Sequence, residues 1–334
     1  MTYDYMDRKP VFISIVLVCS LLFSLFTVYV QATALGVKYL EGRQLDRHRA
    51  VLEATAGNPW QYRVLPEVLV EGALRATSSL HFPRSTALAF VAVRVFQNAL
   101  IFLLAAFFYR KLGLSTYVLL IGLSLLAWSM THSLYDSDLQ FNTYFDIVFY
   151  LAAGLLVLYE KDVWIIPLTG LAALNRETCG LIPFMLVAAR CQLRPKFSVP
   201  RKALLTAGIA LAIYGVIFAA LRFHYGPQKL LVPYGHQPGL DLLWFNAGRY
   251  VTWVQLFAMM GLLPILALLS VRRWPRILQM FALAIIPAWF LVHLFFSTAQ
   301  WAESRYFLVP QALIFIPGVL FGIVNSRNEH SSSD

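Results

Sequence analysis

The stretch 163–189, VWIIPLTGLAALNRETCGLIPFMLVAA, decides how this chain is read. It is apolar at both ends and long enough to cross a bilayer, because 18 or more apolar residues span the hydrocarbon. At its middle lies a polar island, Asn175-Arg176-Glu177-Thr178. A charge at the centre of a membrane helix costs roughly 2.5–3.5 kcal/mol, so such residues face the protein interior and mark function by default.

Composition extends that reading to the whole chain. Of 334 residues, 59% are hydrophobic and only 13% charged, with a mean hydropathy of +0.65. Soluble domains carry about 25% charged residues. Apolar spans are expected at 11–35, 86–108, 113–131, 143–159, 163–190, 203–223, 250–271, 276–297 and 306–325. The expectation is an all-α, polytopic transmembrane bundle of about eight to ten membrane segments. It forms a single domain over 1–325 with a disordered tail at 326–334. The first run resembles a signal peptide, but 25 residues exceed the ~7–15 of an h-region, so a retained helix is expected.

Orientation follows from the basic residues. Arg8, Lys9, Arg110, Lys111, Lys161, the 190–202 loop, Arg272, Arg273, Arg276 and Arg327 flank the spans. If all are cytoplasmic, both termini are inside. The net charge of +10 then reflects the positive-inside pattern, and membrane lipids or phosphates are expected as partners in place of nucleic acid. Lys161 and the 190–202 loop conflict, because only one apolar stretch separates them. Either 163–190 is a broken hairpin of two arms, each about 18 Å long, or it is one long tilted helix with an internal ion pair. Irregular backbone at such depth must be buried in protein or face a wet cavity.

The outer face then receives 36–85, 132–142, 224–249 and 298–305. The long first outer loop contains an amphipathic stretch, Val64 to Leu80, whose Leu65, Val68, Leu69 and Leu74 suit an interfacial helix. Four polar clusters share this side. Trp60, Tyr62 and Arg63 combine rings with a guanidinium that grips phosphate bidentately, or they form an interfacial anchor. Asp136 and Asp138 form a DxD pair that either positions a sugar hydroxyl or a divalent cation, or is solvated loop. Asp146 lies inside a span, where burial and a nearby Arg tune a carboxyl for proton transfer; it equally suits a structural partner for another helix. Neighbours on a helix do not face one another, so Arg176 and Glu177 should pair with different partners, and Arg94 is expected to pair with Asp146 or Glu177. Glu303 and Arg305 sit beside Trp301 and Tyr306, as a site or as a surface ion pair.

Cys19, Cys179 and Cys191 show no CxxC spacing and the seven histidines no HExxH pattern, so no metal or other cofactor is expected beyond the cation that Asp136/Asp138 leaves open.

The multi-span layout, the long first outer loop and the polar groups gathered at one face resemble the GT-C-type glycosyltransferases. The chain also resembles a group of uncharacterised bacterial membrane proteins in Gln61-Tyr62-Arg63-Val64-Leu65-Pro66, Asn175–Thr178 and Glu303–Phe307. The resemblance implies a bacterial inner-membrane enzyme that transfers a sugar from a lipid-linked sugar phosphate at the outer face. Asp46, Asp146 or Glu177 would then be catalytic. Arg63, Arg176 and Arg305 would hold phosphate, Trp60 and Tyr62 the sugar, and Asp136, Asp138, Asn175 and Glu303 would line the site. The chain departs from the family in lacking an acidic doublet directly after the first span. Two alternatives stay open: a transporter or flippase for an anionic lipid or solute, with a broken span around a midplane site, and a non-catalytic assembly partner.

Overall fold

The computed structural model describes residues 9–79, 84–134, 138–192, 196–232, 235–296 and 300–331. Among them the chain is helical throughout, with only two isolated bridges, Asn58 to Leu230 and Gln192 to Ser198. The main helices are α1 (Lys9–Leu35), α2 (Leu45–Leu52), α3 (Val64–Ser79), α4 (Ser85–Lys111), α5 (Thr116–Thr131), α6 (Phe141–Leu158), α7 (Ile165–Ala173), α8 (Ile182–Arg190), α9 (Arg201–Tyr225), α10 (Leu240–Gly248), α11 (Tyr250–Met260), α12 (Leu263–Leu269), α13 (Arg276–Leu291) and α14 (Ile316–Ser331). A mixed helical segment, Ser304–Phe315, leads into α14.

Six helices in the described residues are long and apolar enough to span a membrane, and a seventh span results if α11 and α12, bent by 63°, count as one. The chain therefore has the build of a multi-pass membrane protein. The break follows Met260, where Gly261 takes a positive φ of 55°, a conformation glycine adopts at little cost. The expected span at 113–131 is represented by α5, whose 16 residues reach only about 24 Å.

The expected span at 163–190 is interrupted. Helix α7 ends at Ala173 and α8 begins at Ile182. The chain returns on itself between them, because Arg190 at the end of α8 meets Asp162 just before α7, Nη2 to Oδ1 at 2.6 Å and Nε to Oδ2 at 2.9 Å. One continuous helix would hold these residues roughly 42 Å apart. The island forms the tip of the hairpin.

Burial shows which helices are central. Within the best apolar window, 78% of α6 and 83% of Ser304–Asn325 are buried, against 17% of α9. Apolar side chains such as Leu205, Val216 and Phe223 point outward on α9, as lipid-facing residues do. Helix α1 packs on α4 and α5, α4 on α6 and α3, and both arms of the hairpin on α9. Polar side chains join helices inside: Gln31 Nε2 donates to Tyr144 Oη at 2.8 Å, Asn98 Nδ2 to Thr27 Oγ1 at 2.9 Å, and Gln311 Nε2 to Ser129 Oγ at 3.1 Å. Such bonds hold membrane helices together, since lipid offers no hydrophobic drive between them.

The segment between α1 and α4 is folded rather than a loop. Leu65 and Leu74 of α3 pack on the core, while Val68 and Leu69, expected on the same apolar face, are exposed. The tail is helical as far as Ser331 in the described backbone.

Candidate functional site

The island is built around Asp146, one and a half turns into α6 and fully buried. Its carboxylate accepts from four donors: Asn175 Nδ2 at 2.7 Å, Arg176 Nη1 at 3.0 Å, Thr178 Oγ1 at 3.0 Å and Cys179 Sγ at 3.2 Å. The backbone carbonyls freed by the break are also satisfied. Tyr150 Oη donates to Thr178 O at 2.6 Å and Tyr214 Oη to Glu177 O at 2.7 Å. Unpaired polar groups at this depth cost several kcal/mol each, roughly, so Asp146 and the two tyrosines make the hairpin tip tenable. This saturated carboxylate organises the island. It has no free face for a substrate proton, which corrects the expectation of a base there.

Arg176 and Glu177 do take different partners. Arg176 pairs with Asp146, whereas Glu177 Oε2 accepts from Arg63 Nη2 at 2.9 Å and Nε at 3.2 Å. The outer segment is thereby fastened to the hairpin tip, reinforced by Leu65 N donating to Leu174 O at 3.0 Å. The side chain of Glu177 keeps 30% exposure, more than Asp138 (11%) or Glu303 (12%).

Around this junction the arginines gather. Arg47 forms an ion pair with Asp138, and its guanidinium lies 4.8 Å from the centre of the Trp60 ring. Arg63 lies 5.5 Å from the same ring. Arg176 and Arg305 share Tyr306 in the same way, at 5.0 and 4.9 Å. Arg305 also pairs with Glu303. Arg305 is 1% exposed, yet its Nε and Nη1 have no hydrogen-bond acceptor among the described residues. Arg47, Arg63, Arg176 and Arg305 are close enough for their charges to act on one another. Two aromatic rings thus carry four guanidiniums whose carboxylates come from four different segments of the chain.

Several residues expected at the site stand elsewhere. Tyr62 is buried, donates to Gly226 O at 2.8 Å and lies under Arg222 at 4.5 Å. It pins the outer segment to the end of α9, with its ring packed against the Arg222 guanidinium. Asp46 is exposed and about 200° around α2 from buried His48, on the opposite side from the packed face. Asp136 lies outside the described residues. Asp138 is engaged by Arg47 and by Gln140 N at 3.1 Å, so a divalent cation there would compete with a guanidinium already in place. Among the described residues no three His, Cys, Asp or Glu side chains gather into a metal-binding group.

Arg94 also departs from expectation. It pairs with neither Asp146 nor Glu177. It donates to Leu139 O and, at 2.9 Å, to Gln97 Oε1, and lies 3.7 Å from the Tyr144 ring centre and 4.9 Å from that of Phe141. A buried guanidinium is thus held by carbonyl oxygens and π faces, and it fixes the backbone beside Asp138. What the polar run 46–49 left unread is that His48 is buried, with its ring reaching both Glu67 and Glu71. The i, i+4 spacing of those two carboxylates was the available signal.

Comparison with protein-family models, with curated proteins and with solved structures finds no match.

Proposed function

We propose that the chain is a membrane glycosyltransferase-like enzyme of GT-C type, transferring a sugar from a polyprenyl-phosphate donor at the outer face of the membrane. The observation that carries this reading is Arg305: a guanidinium sealed from solvent, with two N–H-bearing nitrogens that lack an acceptor among the described residues, amid three further arginines. Leaving such donors unmet costs about 1–3 kcal/mol or more each. A phosphate oxygen supplies the acceptor and the missing negative charge.

In this reading the phosphate lies among Arg305, Arg63 and Arg47, and Trp60, whose ring Arg47 and Arg63 both approach, holds the sugar. Glu177, the most accessible carboxylate of the group, takes the proton from the acceptor hydroxyl. The hydroxyl oxygen bonds to the anomeric carbon as the bond from that carbon to the phosphate oxygen breaks. The polyprenyl phosphate leaves with the electron pair, and the guanidiniums stabilise its growing charge. Asp146, Asn175 and Arg176 position the tip that carries Glu177.

The depth of the charges favours a transferase over a transporter. Asp146 is five residues from the start of α6, about 8 Å along the helix, and Arg305 is the second residue of its span. The charges therefore cluster at helix ends and not at the midplane where transporter sites lie. The positive-inside pattern orients those ends outward, with both termini cytoplasmic. The hairpin Asp162–Arg190 would then be re-entrant from the cytoplasmic side, and α3 would lie along the outer interface.

The test is binding of a fluorescent farnesyl phosphate to purified protein in detergent. Arg305→Lys keeps the charge and loses the fork, and Arg63→Gln removes a second ligand. Each should weaken binding by about ten-fold or more, the size of one charge-assisted hydrogen bond. Wild-type affinity in both variants removes the phosphate site.

A further inference from the structure

His48 occupies a place that a neutral imidazole cannot fill. Its Nδ1 is 2.6 Å from Glu67 Oε2 and its Nε2 is 3.2 Å from Glu71 Oε2, with the ring 1% exposed. A neutral imidazole has one donor and one acceptor. Both neighbours here are carboxylates, so the arrangement requires one more proton than a neutral ring and two carboxylates hold. An imidazolium supplies it.

We infer that His48 is a positioning residue for the anion site, acting only as an imidazolium: by bridging Glu67 and Glu71 it holds the helix that presents Arg47. The inference rests on the reading of Arg47 as a phosphate ligand. His48 and Arg47 are consecutive on α2, and Glu67 and Glu71 project from α3. Arg47 reaches forward to Asp138 and Trp60, so the bridge sets where that guanidinium stands.

The surrounding charges give loss of the proton a direction. On α3, Arg75 Nε donates to Glu71 Oε1 at 2.7 Å, so Glu71 keeps a cation without His48. Glu67 is 7% exposed and acts electrostatically on Arg47. From α4 the ring meets, among the described residues, uncharged Phe90, edge-on at 6.3 Å, and Arg94 of the same helix acts on Arg47. With His48 neutral, Glu67 is left buried with Arg47 as its nearby cation, and it draws that guanidinium away from Asp138. Burial opposes the charge on His48, but hydrogen bonds to Glu67 and Glu71 more than offset it and raise its pKa above 6.5. The bridge is therefore complete below pH 6.5 and is lost as pH rises through the higher folded value.

The experiment measures farnesyl phosphate affinity against pH for wild type, His48→Gln and Glu71→Gln. The probe's own second ionisation, near pH 6, strengthens binding as pH rises, opposite to the effect sought. Wild-type affinity should fall about ten-fold across the alkaline limb. His48→Gln should bind weakly throughout and follow only the probe's ionisation, with Glu71→Gln between the two. Superimposable wild-type and His48→Gln profiles overturn the inference. If wild type binds the probe at no pH, the phosphate reading falls instead. The bridge is then judged from nitroxides at Asp46→Cys and Val68→Cys: their distance distribution should broaden with pH in wild type and be broad at every pH in His48→Gln. A narrow, pH-independent distribution in both overturns it.

Discussion

Replacing Asp146 by alanine isolates the group on which the hairpin tip depends. The carboxylate is fully buried and Arg176 is 4% exposed, so removing one partner strands a guanidinium away from water. Breaking a buried pair in this way costs about 3–5 kcal/mol. Asn175 retains its bond to Asn142 O at 2.9 Å, while the Thr178 hydroxyl and Cys179 thiol lose their acceptor, which places the cost toward the upper end. At about 1.4 °C per kcal/mol, from roughly 2.1 cal/mol/K for each of the 334 residues, the melting temperature of the detergent-solubilised protein should fall by about 6 °C. Asp162→Ala, which breaks the more solvent-accessible pair with Arg190 (17% and 22% exposed, against 0% and 4% for Asp146 and Arg176), should cost less. The double variant Asp146→Leu with Arg176→Met removes both charges and should recover much of the loss. Melting within about 1 °C of wild type for Asp146→Ala, or strictly additive losses in the double variant, refutes the argument. Asp146 would then be free to act on substrate.

Two further outcomes test the fold. Cysteines introduced by Asp162→Cys and Arg190→Cys, in a chain without its own three cysteines, should be joined by a short bismaleimide; failure to join them returns 163–190 to a single helix. Gly318→Ala should destabilise by about 1–3 kcal/mol, because a Cβ there meets the Trp274 ring at 2.5 Å, and Trp274 donates to Ser270 at 3.1 Å. An unchanged melting curve would show that Trp274 can move aside.

The apolar runs were legible because length against bilayer thickness is a local property of the chain. The break at Asn175–Thr178 was legible for a related reason: Lys161 and the basic loop after Arg190 conflict unless the chain turns back. Separate partners for Arg176 and Glu177 were expected from helical geometry, but the structure separates them because Arg176 is extended and Glu177 opens a 3-10 turn. The partners themselves did not follow. Arg94 looked as suited to Asp146 as Arg176 was, and Tyr62 looked as available as Trp60.

A membrane-spanning, all-helical build and a set of buried charges were thus determined by the amino-acid order. Which charge meets which was decided by tertiary packing. An ion pair depends on the depth and rotation of two helices at once, and those are set by every contact in the bundle. Asp146 therefore faces the hairpin tip, Arg94 finds carbonyls and rings, and Arg305 is left with nitrogens that lack an acceptor among the described residues.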